Sequence, residues 1–171
     1  MNFQLIKFLS IFFAISACSI PKNSLQTNLA KKQIGQMLNQ WHRDVATYRY
    51  EAYFDKMTED AVFVGTDASE VWQKKDFQDF AKPFFLKKHT WNFIAVSRNI
   101  YVTKNNIAWF DEILDTWMGL CRGSGVVVKQ GEQWKIQHYV LSIAVPNDVT
   151  REVIALKKEK DSLYLIQHPK K

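Results

Sequence analysis

Apolar residues recur along this chain with two different periods, and the change from one to the other divides it. Ile34, Met37, Leu38, Trp41, Val45 and Tyr48 stand three and four apart, with Lys31, Lys32, Gln36, Asn39 and Arg43 between them. That spacing predicts an amphipathic helix with one apolar stripe. Tyr50, Tyr53, Phe54 and Met57 predict a second, short helix ending near Thr58-Glu59-Asp60, after which Ala61-Val62-Phe63-Val64-Gly65 reads as a strand. A third helix is signalled by Phe77, Phe80, Ala81, Phe84 and Phe85, and Pro83 inside it should kink or end it.

From Trp91 onward the period becomes that of strands. Four are predicted, over 91–102, 107–117, 121–129 and 134–145, separated by Asn105-Asn106, Met118-Gly119-Leu120 and Gln130-Gly131-Glu132. Breaks this short join consecutive antiparallel strands. The stretch 149–165 reads as a weaker helix or a loose tail. Helices followed by hairpin-linked strands give an α+β fold, a curved antiparallel sheet with one face covered by helices. The open end of such a sheet is a natural pocket for a small molecule.

Residues 1–17 follow neither pattern. Lys7 precedes an apolar run from Phe8 to Ala17 that only Ser10 and Ser16 interrupt, a signal-peptide pattern too short to span a bilayer. The run ends on Ile15-Ser16-Ala17-Cys18, which resembles the lipobox of bacterial lipoproteins. A cleaved secretory signal is the plainer alternative. The lipobox reading predicts an exported protein held to a membrane through lipid on Cys18, where two or more acyl chains make a stable anchor. Ser19 after the cysteine resembles the outer-membrane signal of two-membrane bacteria. Residues 18–28 then form the lipidated cysteine and a polar tether, 29–149 the domain, and 150–171 a C-terminal helix or basic tail.

A chain of 171 residues leaves room for one domain with a real core. Cys121 is the second of two cysteines, so acylation of Cys18 would leave no partner for an intramolecular disulfide. The net charge of +6 comes from scattered lysines and from the tail, with Lys157, Lys158, Lys160, Lys170 and Lys171. In an exported protein this is a solvated or membrane-facing surface rather than a nucleic-acid site. His42, His89, His138 and His168 lie far apart without cysteines or paired carboxylates at ligand spacing, so no metal site is expected. Phosphate-loop and dinucleotide fingerprints are absent, which leaves no cofactor to expect.

Several strings together resemble a known family: Glu51-Ala52-Tyr53-Phe54, Val62-Phe63-Val64-Gly65-Thr66-Asp67 with Glu70 and Trp72, Ala108-Trp109-Phe110-Asp111-Glu112, Arg122-Gly123-Ser124-Gly125-Val126, and Trp134-Lys135-Ile136 leading to Ser142 and Pro146-Asn147. In this order they resemble the SnoaL-like branch of the nuclear transport factor 2-like superfamily, from about Leu29 to Val149. The resemblance implies a cone of curved sheet with a pocket, and a homodimer formed through the outer face of the sheet. That superfamily holds isomerases, dehydratases and cyclases beside many non-catalytic domains, so fold does not choose function. It also implies that the positions of Trp134, Ile136 and His138 line the pocket. A second pocket histidine of some relatives falls on Val140 here.

Candidate chemistry depends on register. Three-residue turns at Met118 to Leu120 and Gln130 to Glu132 set Thr116 opposite Arg122 and Ser124 opposite His138, which puts Glu112, Thr116, Arg122, Ser124, His138 and Ser142 on one face. A two-residue Gly131-Glu132 turn would instead remove His138 from that set. In the first register His138 is a general acid or base, Glu112 or Asp115 a carboxylate base, and Arg122 an oxyanion or carboxylate partner. Tyr53, Trp72, Trp91, Ser124 and Thr116 are the candidate ligand-binding residues, although aromatics such as these, and Trp109 and Trp117 with them, are more often ordinary core than pocket lining. Two functions follow: a non-catalytic, membrane-anchored module that binds a small apolar or acidic molecule and dimerises, or an isomerase, dehydratase or cyclase using His138 with Arg122. The lack of a convincing acid–base pair favours the first.

Overall fold

A computed structural model describes residues 22–103 and 106–169. Cys18 and the leader lie outside the described residues, as do Lys104, Asn105, Lys170 and Lys171. The order of elements is α1 (Lys22–Ala46), α2 (Tyr50–Asp55), β1 (Met57–Val64), β2 (Val71–Gln73), α3 (Lys74–Leu86), β3 (Ile94–Val102), β4 (Ile107–Thr116), β5 (Gly119–Gln130), β6 (Gln133–Ile143), a short 3₁₀ turn (Asn147–Val149) and α4 (Thr150–Gln167). One six-stranded sheet has the order β2-β1-β6-β5-β4-β3. Its pairs are antiparallel except β1 with β6, which run parallel.

The long helix begins earlier than its apolar stripe suggested. Ser24, Gln26 and Thr27, expected in the tether, are helical. No proline or glycine interrupts the chain between Lys22 and Ile34, so nothing in the sequence stops the helix there. Its core face carries Ile34, Leu38, Trp41 and Val45, all buried. Pro83 stands inside α3, which closes one turn later at Leu86; the Lys87 backbone N–H then donates to the Pro83 carbonyl at 3.1 Å. The predicted tail is an 18-residue helix without a buried residue, touching the β1–β2 loop where the Tyr164 hydroxyl donates to the Ala68 carbonyl at 3.4 Å.

Helices α1, α2 and α3 cover one face of the sheet, and the core lies between. It is unusually aromatic. Tyr53 stacks on Trp41 at 5.0 Å between ring centroids, Phe63 on Phe77 at 4.1 Å, and Trp72 on Phe80 at 4.4 Å. Rings in these offset and edge arrangements gain more than their area alone contributes.

Candidate functional site

Register decides which side chains meet, and it differs from the expected one in both hairpins. Thr116 pairs with Gly119 across the two-residue turn Trp117-Met118, and Ile113, not Thr116, stands opposite Arg122. Gly119, with φ of 81°, takes the left-handed conformation that closes this turn. Gln130 pairs with Gln133 across Gly131-Glu132, again two residues, with Gly131 at φ of 59°. On a regular ladder this turn would send His138 inward with Trp134 and Ile136. A bulge prevents it: Val127 pairs with Ile136 but Val126 pairs with His138, so Gln137 is the extra residue and the alternation of β6 flips.

The expected cluster therefore splits. Arg122, Ser124, His138 and Ser142 share the outer face, away from the helices, where each is half-buried or exposed. Glu112 and Thr116 point to the inner face. Glu112 pairs with Gly123 and is fully buried, while the Thr116 hydroxyl is taken up by its own turn, donating to the Gly119 carbonyl at 2.8 Å and accepting from the Met118 N–H at 3.0 Å. His138 and Arg122 are thus on the opposite side of the sheet from the carboxylate they were grouped with. Asp115 is exposed. Of the pocket trio that the resemblance implied, Trp134 and Ile136 are buried and His138 is not.

What surrounds Glu112 instead was not anticipated. His42, on α1, meets its Oε1 through Nε2 at 2.8 Å, and the Tyr139 hydroxyl donates to the same oxygen at 3.1 Å. Arg98, on β3, sets Nε at 2.7 Å and Nη2 at 2.6 Å from Oε2. The same guanidinium reaches back to α1 through Nη1, donating to the Asn39 Oδ1 at 2.7 Å and the Gly35 carbonyl at 3.2 Å. Burial pushes the Glu112 carboxyl up, but the hydrogen bonds and charges of His42 and Arg98 outweigh it and hold it below the usual range. Burial, followed by the Glu112 charge, pushes the Tyr139 phenol well above its ordinary value. Tyr139 is a donor here, and Glu112 an ionised acceptor.

The sequence did carry a signal for two of the three partners, His42 and Arg98. His42 lies four residues after Leu38 and eight after Ile34, on the buried stripe of α1, and a polar side chain there needs a partner. Arg98 shares its face of β3 with Ile100 and Val102, two and four residues on, which pack against the core. Room for the Tyr139 ring comes from Gly123: a Cβ built there would collide with the Tyr139 hydroxyl and approach the Glu112 Cγ to 3.0 Å. The Gly123-Ser124-Gly125 string is thus a packing device. A second buried carboxylate, Asp44, accepts from Lys56 Nζ at 2.6 Å and Gln40 Nε2 at 2.8 Å near the end of α1.

Of the five candidate ligand-binding residues, Tyr53, Trp72 and Trp91 gather around Phe77 in the core, and Ser124 and Thr116 lie apart from them. Tyr53 is 1% exposed and packed among Trp41, Phe54 and Phe77. Trp72 is half-buried, stacked at 5.5 Å on Phe77, which also stacks on Trp91 at 6.0 Å. Ser124 is on the outer face, and Thr116 is in its turn. Two open cavities flank the first half of α1, and none of the five lines either. Among the described residues no group of histidine, cysteine and carboxylate side chains is placed to hold a metal ion, and no helix is long and apolar enough to cross a membrane.

Helices covering one face of a strongly paired, bulged antiparallel sheet make this an α+β roll of the nuclear transport factor 2-like and cystatin-like kind. The chain belongs to the SnoaL-like domain family, which matches residues 34–146. Solved structures agree on the fold. A nuclear transport factor 2-like protein of unknown function from Pseudomonas putida is 14% identical, with a TM-score of 0.60 over 71% of this chain and 92% of its own. A protein with a cystatin-like fold from Nostoc punctiforme is 12% identical, with a TM-score of 0.57 over 68% and 92%. Another cystatin-like protein, from Caulobacter vibrioides, is 18% identical, with a TM-score of 0.56 over 74% and 97%. No curated protein matches the chain in sequence.

Proposed function

We propose that this chain is a non-catalytic SnoaL-like module, tethered to the cell envelope through lipid on Cys18 and acting as a homodimer through the outer face of its sheet. The observation that carries the reading is the state of the inner face. Both oxygens of the buried carboxylate Glu112 are held by His42, Arg98 and Tyr139, and the space beside it is taken by rings packed on rings. A general base needs a free lone pair facing its substrate, and a ligand needs room. A small apolar or acidic ligand in the cone would have to displace Tyr53, Phe77 and Trp91 from one another. For an isomerase, dehydratase or cyclase built on His138, the carboxylate partner Glu112 is on the far side of the sheet.

The outer face has the opposite character. Tyr101 and Trp109 stack at 5.6 Å while 44% and 49% exposed, and the cross-strand row continues through Val126, His138 and Val62. Ile107 extends the apolar patch along β4. Exposed aromatic and branched residues gathered on one sheet face are what a buried interface core is made of. The full-length protein in detergent is expected to sediment as a dimer, and Trp109→Glu as a monomer whose melting temperature matches the wild type's at a concentration where both are monomeric. A wild-type protein that stays monomeric at high micromolar concentration overturns the pairing. Cys18→Ser is expected to release the protein from membranes, and its complete retention there would remove the anchor.

A further inference from the structure

We infer that the outward face of the first half of α1 docks on the anionic phospholipid surface that holds the chain, so that the domain keeps one orientation on its membrane instead of swinging from a tether. The inference rests on the anchoring through Cys18 proposed above and adds the protein surface that meets the lipid.

Periodicity supplies the first observation. Ile34, Leu38, Trp41 and Val45 form the buried stripe of α1. Leu25, Leu29, Lys32 and Gln36 each stand nine residues before one of them, about two and a half helical turns, and so point the opposite way. Leu25 is 62% exposed and Leu29 55%. Four residues apart, they are neighbours on the helix surface, a pair of leucines turned away from the core.

Charge supplies the second. From Ser19 to Arg43 the sequence holds Lys22, Lys31, Lys32 and Arg43 and no acidic residue. The helix dipole favours an acidic residue in the first turn, and α1 has none there. Lys31 and Lys32 are exposed. Leucines flanked by lysines suit a helix lying in a lipid interface, with the apolar groups toward the acyl chains and the ammonium groups at the phosphates. Helix α4 also carries lysines, but Glu152, Glu159 and Asp161 interleave them, and Lys157 is paired with Asp161 at 3.1 Å.

Reach supplies the third. Helix α1 begins at Lys22, four residues after Cys18, and four residues span at most about 14 Å. Lipid on Cys18 therefore holds the start of α1 within that distance of the headgroups. Leu25 and Leu29 follow within about two turns.

The test is fluorescence quenching on the mature lipidated protein, reconstituted in vesicles of phosphatidylcholine and phosphatidylglycerol in equal parts that contain a nitroxide lipid. A fluorophore is attached at Asn28→Cys on α1, which leaves both leucines and both lysines in place, or at Leu156→Cys on α4. Cys121 is buried and escapes the label. Quenching is expected at position 28 and not at position 156. Lys31→Glu with Lys32→Glu should abolish it, a shift of the docked fraction by about tenfold or more, since each lysine near such a surface contributes about a factor of five. An unquenched position 28 in protein that floats with the vesicles overturns the inference and leaves the anchor standing. Protein that does not float with them overturns both. Equal quenching at the two positions, or quenching indifferent to the charge reversal, also overturns the inference.

Discussion

The two faces of β4 and β5 differ by one residue in sequence and by their whole surroundings in space. Asp111 and Glu112 are neighbours on β4. Asp111 is half-buried on the outer face, accepting from Asn99 Nδ2 at 3.0 Å, whereas Glu112 is fully buried and surrounded by His42, Arg98 and Tyr139. On β5 the same contrast separates Gly123, which a methyl group would overfill, from Ser124, which stands on the open face. What the contrast teaches is that polarity does not say where function lies in this sheet. The buried polar cluster around Glu112 holds the fold together, and the face that carries Arg122, Ser124, His138 and Ser142 is the one left available.

The largest effect expected from that difference is at Glu112. Replacing it by Ala removes the counter-charge of a buried guanidinium, and breaking such a pair from one side costs about 3–5 kcal/mol. Asp111→Ala, one residue away, should stay within about 0.5 kcal/mol in the same urea titration. Equal losses at the two positions would mean that the faces do not differ as described. Gly123→Ala comes next. Its methyl group forces Tyr139 off Glu112, and overpacking of this kind costs about 1–3 kcal/mol, while Ser124→Ala is expected to be nearly silent.

The acid limb of stability offers a smaller and more specific measure. The Glu112 carboxyl is held below its ordinary value of 4.5 in the folded state, so its contribution is complete above that value and is lost as pH falls through the lower, folded one. In that window the unfolded chain binds the extra proton, and stability falls by up to about 1.4 kcal/mol per pH unit for this one group. Urea titrations from pH 6 downward should show the fall in the wild type. In Glu112→Gln the Glu112 part of the slope should be gone, even though the variant starts from lower stability. A wild-type slope preserved in Glu112→Gln would assign the acid limb to other carboxylates.

Much of this architecture was legible in periodicity. The buried stripe of α1, the aromatic face of α3 and the four long strands were readable because burial repeats every three to four residues on a helix and every two on a strand. The strand β2 was missed because three residues are too few for a period to show. The site was harder for a different reason. Face assignment along β6 turns on one bulged residue, Gln137, and on turns one residue shorter than expected; each change of one residue inverts a strand. The partners of Glu112 come from α1, β3 and β6, 70, 14 and 27 residues away, a distance over which no local pattern speaks.

The smallest expected effect is the one that bears most directly on the comparison. His42 and His138 are the same residue type placed on either side of the sheet, and the sequence gives no composition-based reason to rank them. His42→Ala leaves buried Glu112 without one of its three partners, a loss of about 1–3 kcal/mol. His138 makes no such bond across the core. It pairs in register with Val126 and Val62 on the outer face, so His138→Ala should change the stability of the dissociated protein by no more than about 0.5 kcal/mol. Measured at a concentration where wild type and variant are both monomeric, a loss at His138 as large as that at His42 would place it in a structural network of its own. A silent His138 with an audible His42 leaves the outer histidine free for an interface, and its effect should then appear only in the concentration dependence of association.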